Sequence, residues 1–282
     1  MSEYSEVEQP FLQQLAAQGW TVVDQGCAAI PQDPATSLRT SFREWLLPGV
    51  FDAAVRRINS LPNGAPWLTA RQLDDLRGQL ARQPNRTLLE ANEAIQALLF
   101  KAQVDVNEAT GEADPVVQLI DFAHPENNTF HAINQFRIDT PGCVRAFILP
   151  DIVLLVNGIP LCVVECKKGS ETCANPMAEA FVQLQRYMNK RPDTATAGLR
   201  EGEPRLFHSN LLLIRSCGLE ADYGTITSSE EYFYDWKTLY PQDDSGLAEL
   251  DGAWRRLRQH PADFAGHCQL IEQLLNGVEH LE

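Results

Sequence analysis

At 282 residues, 44% of them hydrophobic, the chain can bury one large core or two smaller ones. No apolar run approaches a membrane span, and the acidic start over residues 1–8 lacks the basic and apolar regions of a leader peptide, which excludes membrane and secreted classes and predicts a cytoplasmic protein. Seven cysteines without a Cys-x-x-Cys pair argue against a disulfide framework and a zinc ribbon, and a formal charge of −15 argues against strong non-specific DNA binding, which rests on Lys and Arg contacts to phosphates.

In chain order, residues 6–18 place Val7, Phe11, Leu12, Leu15 and Ala16 at helical spacing before Gly19, predicting an amphipathic helix and then a short strand over 20–23. Residues 25–37 carry Gly, Pro, Gln and Asp without periodicity and read as a loop. Helices are predicted over 42–47, 49–60, 69–83 and 88–101, with Thr69 and Gln72 spaced as a capping box. From Val116 the character changes to strands, over 116–122, 132–138, 147–156, 161–167 and 206–215. A helix over 176–189, with Pro176 at its first position and Asn175 or Thr172 as cap, separates the last two. Residues 218–229 read as a connection and 231–236 as an aromatic cluster that packs against the sheet or, less simply, stacks bases. A polar turn over 241–245 and helices over 247–281 complete the chain. A hairpin followed by a helix crossing to a further strand implies an α/β fold, a mixed sheet with helices on its faces.

The most informative stretch is 147–168. Residues 152–156 and 161–164 are rich in Val, Ile and Leu, as in strands buried on both faces, and Asn157-Gly158 supplies a turn that tolerates positive φ. Asp151, Glu165 and Lys167 stand at the ends of these runs, where charge is costly unless paired or bound to a cation. Glu165 and Lys167 share a face because they are two apart. Asp151 joins them only if the turn has three residues, 157–159, or if a bulge beside a two-residue turn restores the facing. Two carboxylates and an ammonium suit Mg²⁺ binding and phosphodiester hydrolysis; the plainer alternative is a structural ion network in a non-catalytic module.

Pro150-Asp151 followed by Glu165-Cys166-Lys167 resembles the PD-(D/E)xK nuclease signature. The wording of 150–167 is similar to the N-terminal nuclease domain of the R subunit of type I restriction-modification enzymes, as is 130–138 with His131, Asn134, Gln135 and Arg137. Gln183 and Tyr187 match the Gln-x-x-x-Tyr element of that group and of RecB-like nucleases. The chain departs from the pattern at Cys166, where an aliphatic residue is usual, on the side of the strand away from the acids.

The resemblance implies a restriction-endonuclease-like mixed central sheet flanked by helices, with a helical subdomain. The opening helix and strand would occupy 1–24, the helical subdomain 25–114, the nuclease core 115–240, and 241–282 would lead toward motor domains outside this chain. It implies a Mg²⁺-dependent DNA endonuclease with Asp151, Glu165 and Lys167 catalytic. Asp151, Glu165 and the Cys166 carbonyl would hold the metal, and Gln183 and Tyr187 would position the site or the DNA. Glu8 is the position that resembles an additional family ligand, against the simpler reading of a solvated helix face. Double-stranded DNA and the methyltransferase and specificity subunits are the implied partners. ATP would serve only the motor domains, since no Gly-x-x-x-x-Gly-Lys-Ser/Thr loop occurs here. A standalone defence or repair nuclease of the same fold is the other catalytic reading. Lys167, Lys168, Arg186, Lys190 and Arg191 would form a basic rim despite the global acidity.

Overall fold

Seven strands form the central sheet and stand along it in the order in which they occur in the chain. They are β1 (Thr21–Val23), β2 (Phe130–Asn134), β3 (Ile152–Val156), β4 (Ile159–Cys166), β5 (Leu212–Ser216), β6 (Ala221–Gly224) and β7 (Tyr234–Asp235). The structure, a computed structural model, describes residues 2–170 and 173–236, and the sheet lies within the unit Met1–Asp235. The pairs β1–β2 and β4–β5 are parallel; the other neighbours are antiparallel. Each parallel pair needs a long crossover. The first contains α2 (Pro48–Ile58), α3 (Ala70–Ala81) and α4 (Leu88–Lys101), the second α5 (Pro176–Tyr187); α1 (Gln9–Ala17) precedes β1.

The sheet is covered on both faces, which is why β3 and β4 read as continuous apolar runs. On one face Val153, Leu155 and Val163 join a core with Phe51, Leu73 and Ile95 of α2–α4 and Leu184 and Tyr187 of α5. On the other, Ile152, Leu154, Cys162, Val164 and Cys166 meet Leu12 and Leu15 of α1. The buried Cys162 and Cys166 act as small hydrophobes, and the cysteines among the described residues are free.

Capping chemistry explains the helices that match expectation. Thr69 and Thr87 each close a reciprocal capping box, with Gln72 and Glu90, and the Asn175 side chain accepts from Ala178 N at 3.1 Å. The Thr87–Glu90 spacing was equally open to a sequence reading. Other expectations need correction. Residues 42–47 are turns, because the helix starts only at Pro48, where the missing N–H costs nothing. Within 116–122 only Val116–Val117 pairs, with Ala102–Gln103. The run 147–156 divides at Pro150, so that Phe147–Ile148 pairs with Ile138–Asp139 and only Ile152–Val156 enters the sheet. Residues 204–207 form a 3₁₀ turn, and β5 begins at Leu212. Strands β6 and β7 were not foreseen. The turn and helices expected beyond 240, and the alternative cap Thr172, lie outside the described residues.

The hairpin takes the second of its two expected routes. Asn157 and Gly158 form a two-residue turn with φ of 50° and 77°, Ile159 faces Val156, and Pro160 faces Leu155. The register then shifts between Pro160 and Cys162, so that Cys162 faces Leu154 and Val164 faces Ile152. Leu161 is the extra residue of a bulge. Gly158 is required twice, by its φ and by contact with the start of α2, since a Cβ would lie 2.7 Å from the Leu47 carbonyl oxygen.

Candidate active site

The bulge places Asp151, just before β3, and Glu165, near the end of β4, on the sheet face that α5 covers. Lys167 Nζ lies 2.6 Å from Glu165 Oε1 and 3.3 Å from Asp151 Oδ2, and it donates to the Cys166 carbonyl at 2.7 Å. Cys166 N–H donates to Asp151 Oδ2 at 2.8 Å. Glu165 is wholly buried and Asp151 nearly so, while Glu165 Oε2 has no hydrogen-bond partner among the described residues. Burial, and then the charge of Asp151, push the Glu165 carboxyl well above its usual range; burial also raises Asp151 against the opposing pull of Lys167 and the Cys166 N–H. Burial acts to lower the Lys167 ammonium, but Glu165 and Asp151 outweigh it and hold it above the ordinary lysine range.

A second group of oxygens comes from the opposite layer. Carboxylate oxygens of Glu3, Glu8 and Asp151 lie within 4.8 Å of one another. Glu8 is 2% exposed, so its sequence reading as a solvated helix face does not hold. Its two oxygens accept from Gln135 Nε2 at 3.2 and 3.1 Å, and burial followed by Asp151 raises it to about 7. Glu3 was missed by sequence reasoning for a geometric reason. Residues five apart on an α-helix point about 140° from each other. Here Tyr4–Glu8 is a wide π turn, whose i→i+5 bonding brings positions 3 and 8 to one side.

Tyr187 is buried, and its hydroxyl donates to the Leu149 carbonyl at 3.0 Å while accepting from Gln183 Nε2 at 2.8 Å. This pair grips the backbone two residues before Asp151. The basic rim is only partly assembled. Lys168 Nζ pairs with Glu6 at 2.7 Å, and Lys190 is turned away to the Ile226 carbonyl. Arg186 and Arg191 do line a cleft beside Lys167, joined by Arg145, which sequence reasoning also missed. Arg137 pairs with Asp139 at 2.8 Å, and His131 is a half-buried strand residue. Of the aromatic cluster, Phe233 packs edge-on to Phe181, whereas Tyr232, Tyr234 and Trp236 are exposed.

An all-oxygen set of Asp151, Glu165 and the Cys166 carbonyl, with Glu8 and Glu3 alongside, could hold a hard divalent cation. The fit rests on two features of the structure: the three oxygens already converge on one cation, the Lys167 ammonium, and Glu165 Oε2 is a buried acceptor without a donor among the described residues.

A seven-stranded mixed sheet between helical layers, with Asp, Glu and Lys gathered at a bulged hairpin, defines a restriction-endonuclease-like α/β domain. A family model described as the type I restriction enzyme R protein N terminus matches residues 1–232, and the chain belongs to that family. It is 25% identical over 251 residues to the putative type I restriction enzyme MjaIXP endonuclease subunit of Methanocaldococcus jannaschii, covering 88% of this chain. It is 26% identical over 253 residues to the type I restriction enzyme HindI endonuclease subunit of Haemophilus influenzae, covering 89% of this chain. The alignment takes in 22% of each relative's length.

Proposed function

We propose that this chain is the DNA-cleaving domain of a type I restriction enzyme R subunit and hydrolyses phosphodiester bonds with Mg²⁺. The observation that carries the proposal is the meeting of Asp151, Glu165 and Lys167 within hydrogen-bonding reach at the open end of the central hairpin. Asp151, Glu165 and the Cys166 carbonyl would hold the ion, with Glu8 as a further ligand. Magnesium there would supply Lewis acidity toward a phosphoryl oxygen and make an attacking water more acidic. Lys167, kept protonated by its two acids, would orient that water and steady the charge that develops on the phosphoryl group, rather than act as a base. Gln183 and Tyr187 would act as positioning residues by fixing the strand that carries Asp151. Double-stranded DNA is the proposed substrate, with the methyltransferase and specificity subunits as partners in a cytoplasmic complex.

Asp151→Asn, Glu165→Gln and Lys167→Ala should each abolish cleavage of a plasmid while leaving the circular dichroism spectrum unchanged, and Asp151→Asn should also abolish the calorimetric signal of Mn²⁺ binding. Full cleavage by the Glu165 or Lys167 variant would falsify the assignment.

A further inference from the structure

The cleft beside Lys167 has about 560 Å³ of space and carries more positive charge than a chain of −15 leads one to expect. Arg145, Arg186 and Arg191 line it together with Lys167, and Glu179 is the only acid in its wall among the described residues. Two of these arginines have no acidic partner among the described residues. Arg145 is exposed and makes no ion pair there, and Arg186 lies over the Tyr187 ring with a buried Nε that has no hydrogen-bond partner. Arg191 is only loosely engaged, its Nε standing 3.5 Å from Glu201.

Helical geometry explains how one side of the cleft is built. Ala178, Val182 and Arg186 are four apart along α5, as are Asn175, Glu179 and Gln183, so both rows lie on one face. The opposite face carries the buried Ala180, Leu184 and Tyr187. Val182 is 49% exposed and lies among the polar groups of the wall. Guanidinium groups together with small apolar surface, Ala174, Ala178 and Val182, suit the phosphates and deoxyriboses of a polynucleotide strand. Guanidinium binds phosphate oxygens in a planar, bidentate fashion, which gives these arginines a role that lysines would not fill as well.

We infer that this cleft holds the sugar–phosphate backbone of the DNA strand to be cut, with Arg145 and Arg186 as its main phosphate ligands and Arg191 as a third. This rests on the nuclease reading of the adjacent site and assigns its substrate track. The track runs from Lys167, which borders both the cleft and the acids, so a strand lying in it presents a phosphate to the site. The contacts are to backbone rather than bases, in keeping with a domain that reads no sequence.

The test is the anisotropy of a short fluorescein-labelled duplex titrated with the full chain over a range of salt, with calcium in place of magnesium. Replacing Arg145 and Arg186 together by Gln should weaken binding by on the order of tenfold and flatten the plot of log affinity against log salt by about two, near 0.9 per lost phosphate contact. Glu179→Gln should tighten binding. Arg145→Gln and Arg186→Gln should each weaken binding singly, whereas Arg71→Gln, an equal loss of one charge at an exposed site on α3, should change nothing. The inference is overturned if the double variant keeps wild-type affinity and slope, or if Arg71→Gln weakens binding as much as each cleft arginine does. Mn²⁺ calorimetry separates this result from the nuclease reading. If the chain binds no manganese but its duplex affinity depends on the arginines, the metal site is wrong and the track stands. If it binds manganese but its duplex affinity does not depend on the arginines, the track is wrong and the metal site stands.

Discussion

Lys167 is enclosed by acids that its own charge keeps tolerable. Removing the ammonium leaves Asp151 and Glu165 buried without their counter-ion, and breaking a buried pair from one side typically costs about 3 kcal/mol or more. Lys167→Met should therefore lower stability in urea titrations without divalent ions, and added Mg²⁺ should restore most of the loss. Glu8 gives a pH signature. Its folded pKa of about 7 lies above the usual carboxyl value, so in the window between them the folded state binds more protons than the unfolded. Its contribution is full at low pH and is lost as pH rises through 7. Glu8→Gln should thus raise the melting temperature of the metal-free chain at pH 8 and make little difference near pH 4, and a gain of equal size at both would exclude the linkage. Asp151, Glu165 and Lys167 were legible in the sequence because charge at the ends of apolar strands is anomalous. Glu3 was not, because one wide turn changes which residues share a side, and no spacing rule for an ordinary helix reveals it. Arg145 sits in an irregular segment, where periodicity carries no information.

Between residue and molecule, the hairpin shows how far pattern reasoning reaches. That Asp151 and Glu165 must face each other followed from the chemistry. Which device brings them together did not, since a longer turn and a bulge use the same number of residues. Deleting Leu161 should remove the bulge yet leave Cys162 opposite Leu154 and Glu165 on the face of Asp151, so Mn²⁺ binding measured by calorimetry should survive. Gly158→Ala forces a Cβ against the Leu47 carbonyl at positive φ, and it should destabilise by about 2 kcal/mol or more in denaturant titration. Tyr187→Phe leaves the Leu149 carbonyl without its donor, at a cost of about 1–3 kcal/mol, and should reduce the turnover number more than it changes KM. Helices with caps, such as α3 and α5, were readable because the cap chemistry is local. The division at Pro150 and the strands β6 and β7 were not, since pairing partners decide them and these lie far apart or read as loop.

At the scale of the molecule, the acidic balance and the basic cleft pull in opposite directions. Duplex binding by this chain alone should be weak and should decline steeply with salt, so a salt-independent affinity would mean that contacts other than phosphates dominate. The candidate site also lies on a seam. Asp151 and Glu165 belong to the hairpin on the α5 side, whereas Glu3 and Glu8 arrive from the helix on the other face. An ion shared between Asp151 and Glu8 would therefore rivet two layers that are otherwise joined there by Lys167, 3.8 Å from Glu3, and by Lys168, paired with Glu6. Occupancy would then be felt as stiffening of the first twenty residues, visible as slowed amide exchange along α1 when manganese is added, and the same helix would loosen first when the ion is withdrawn.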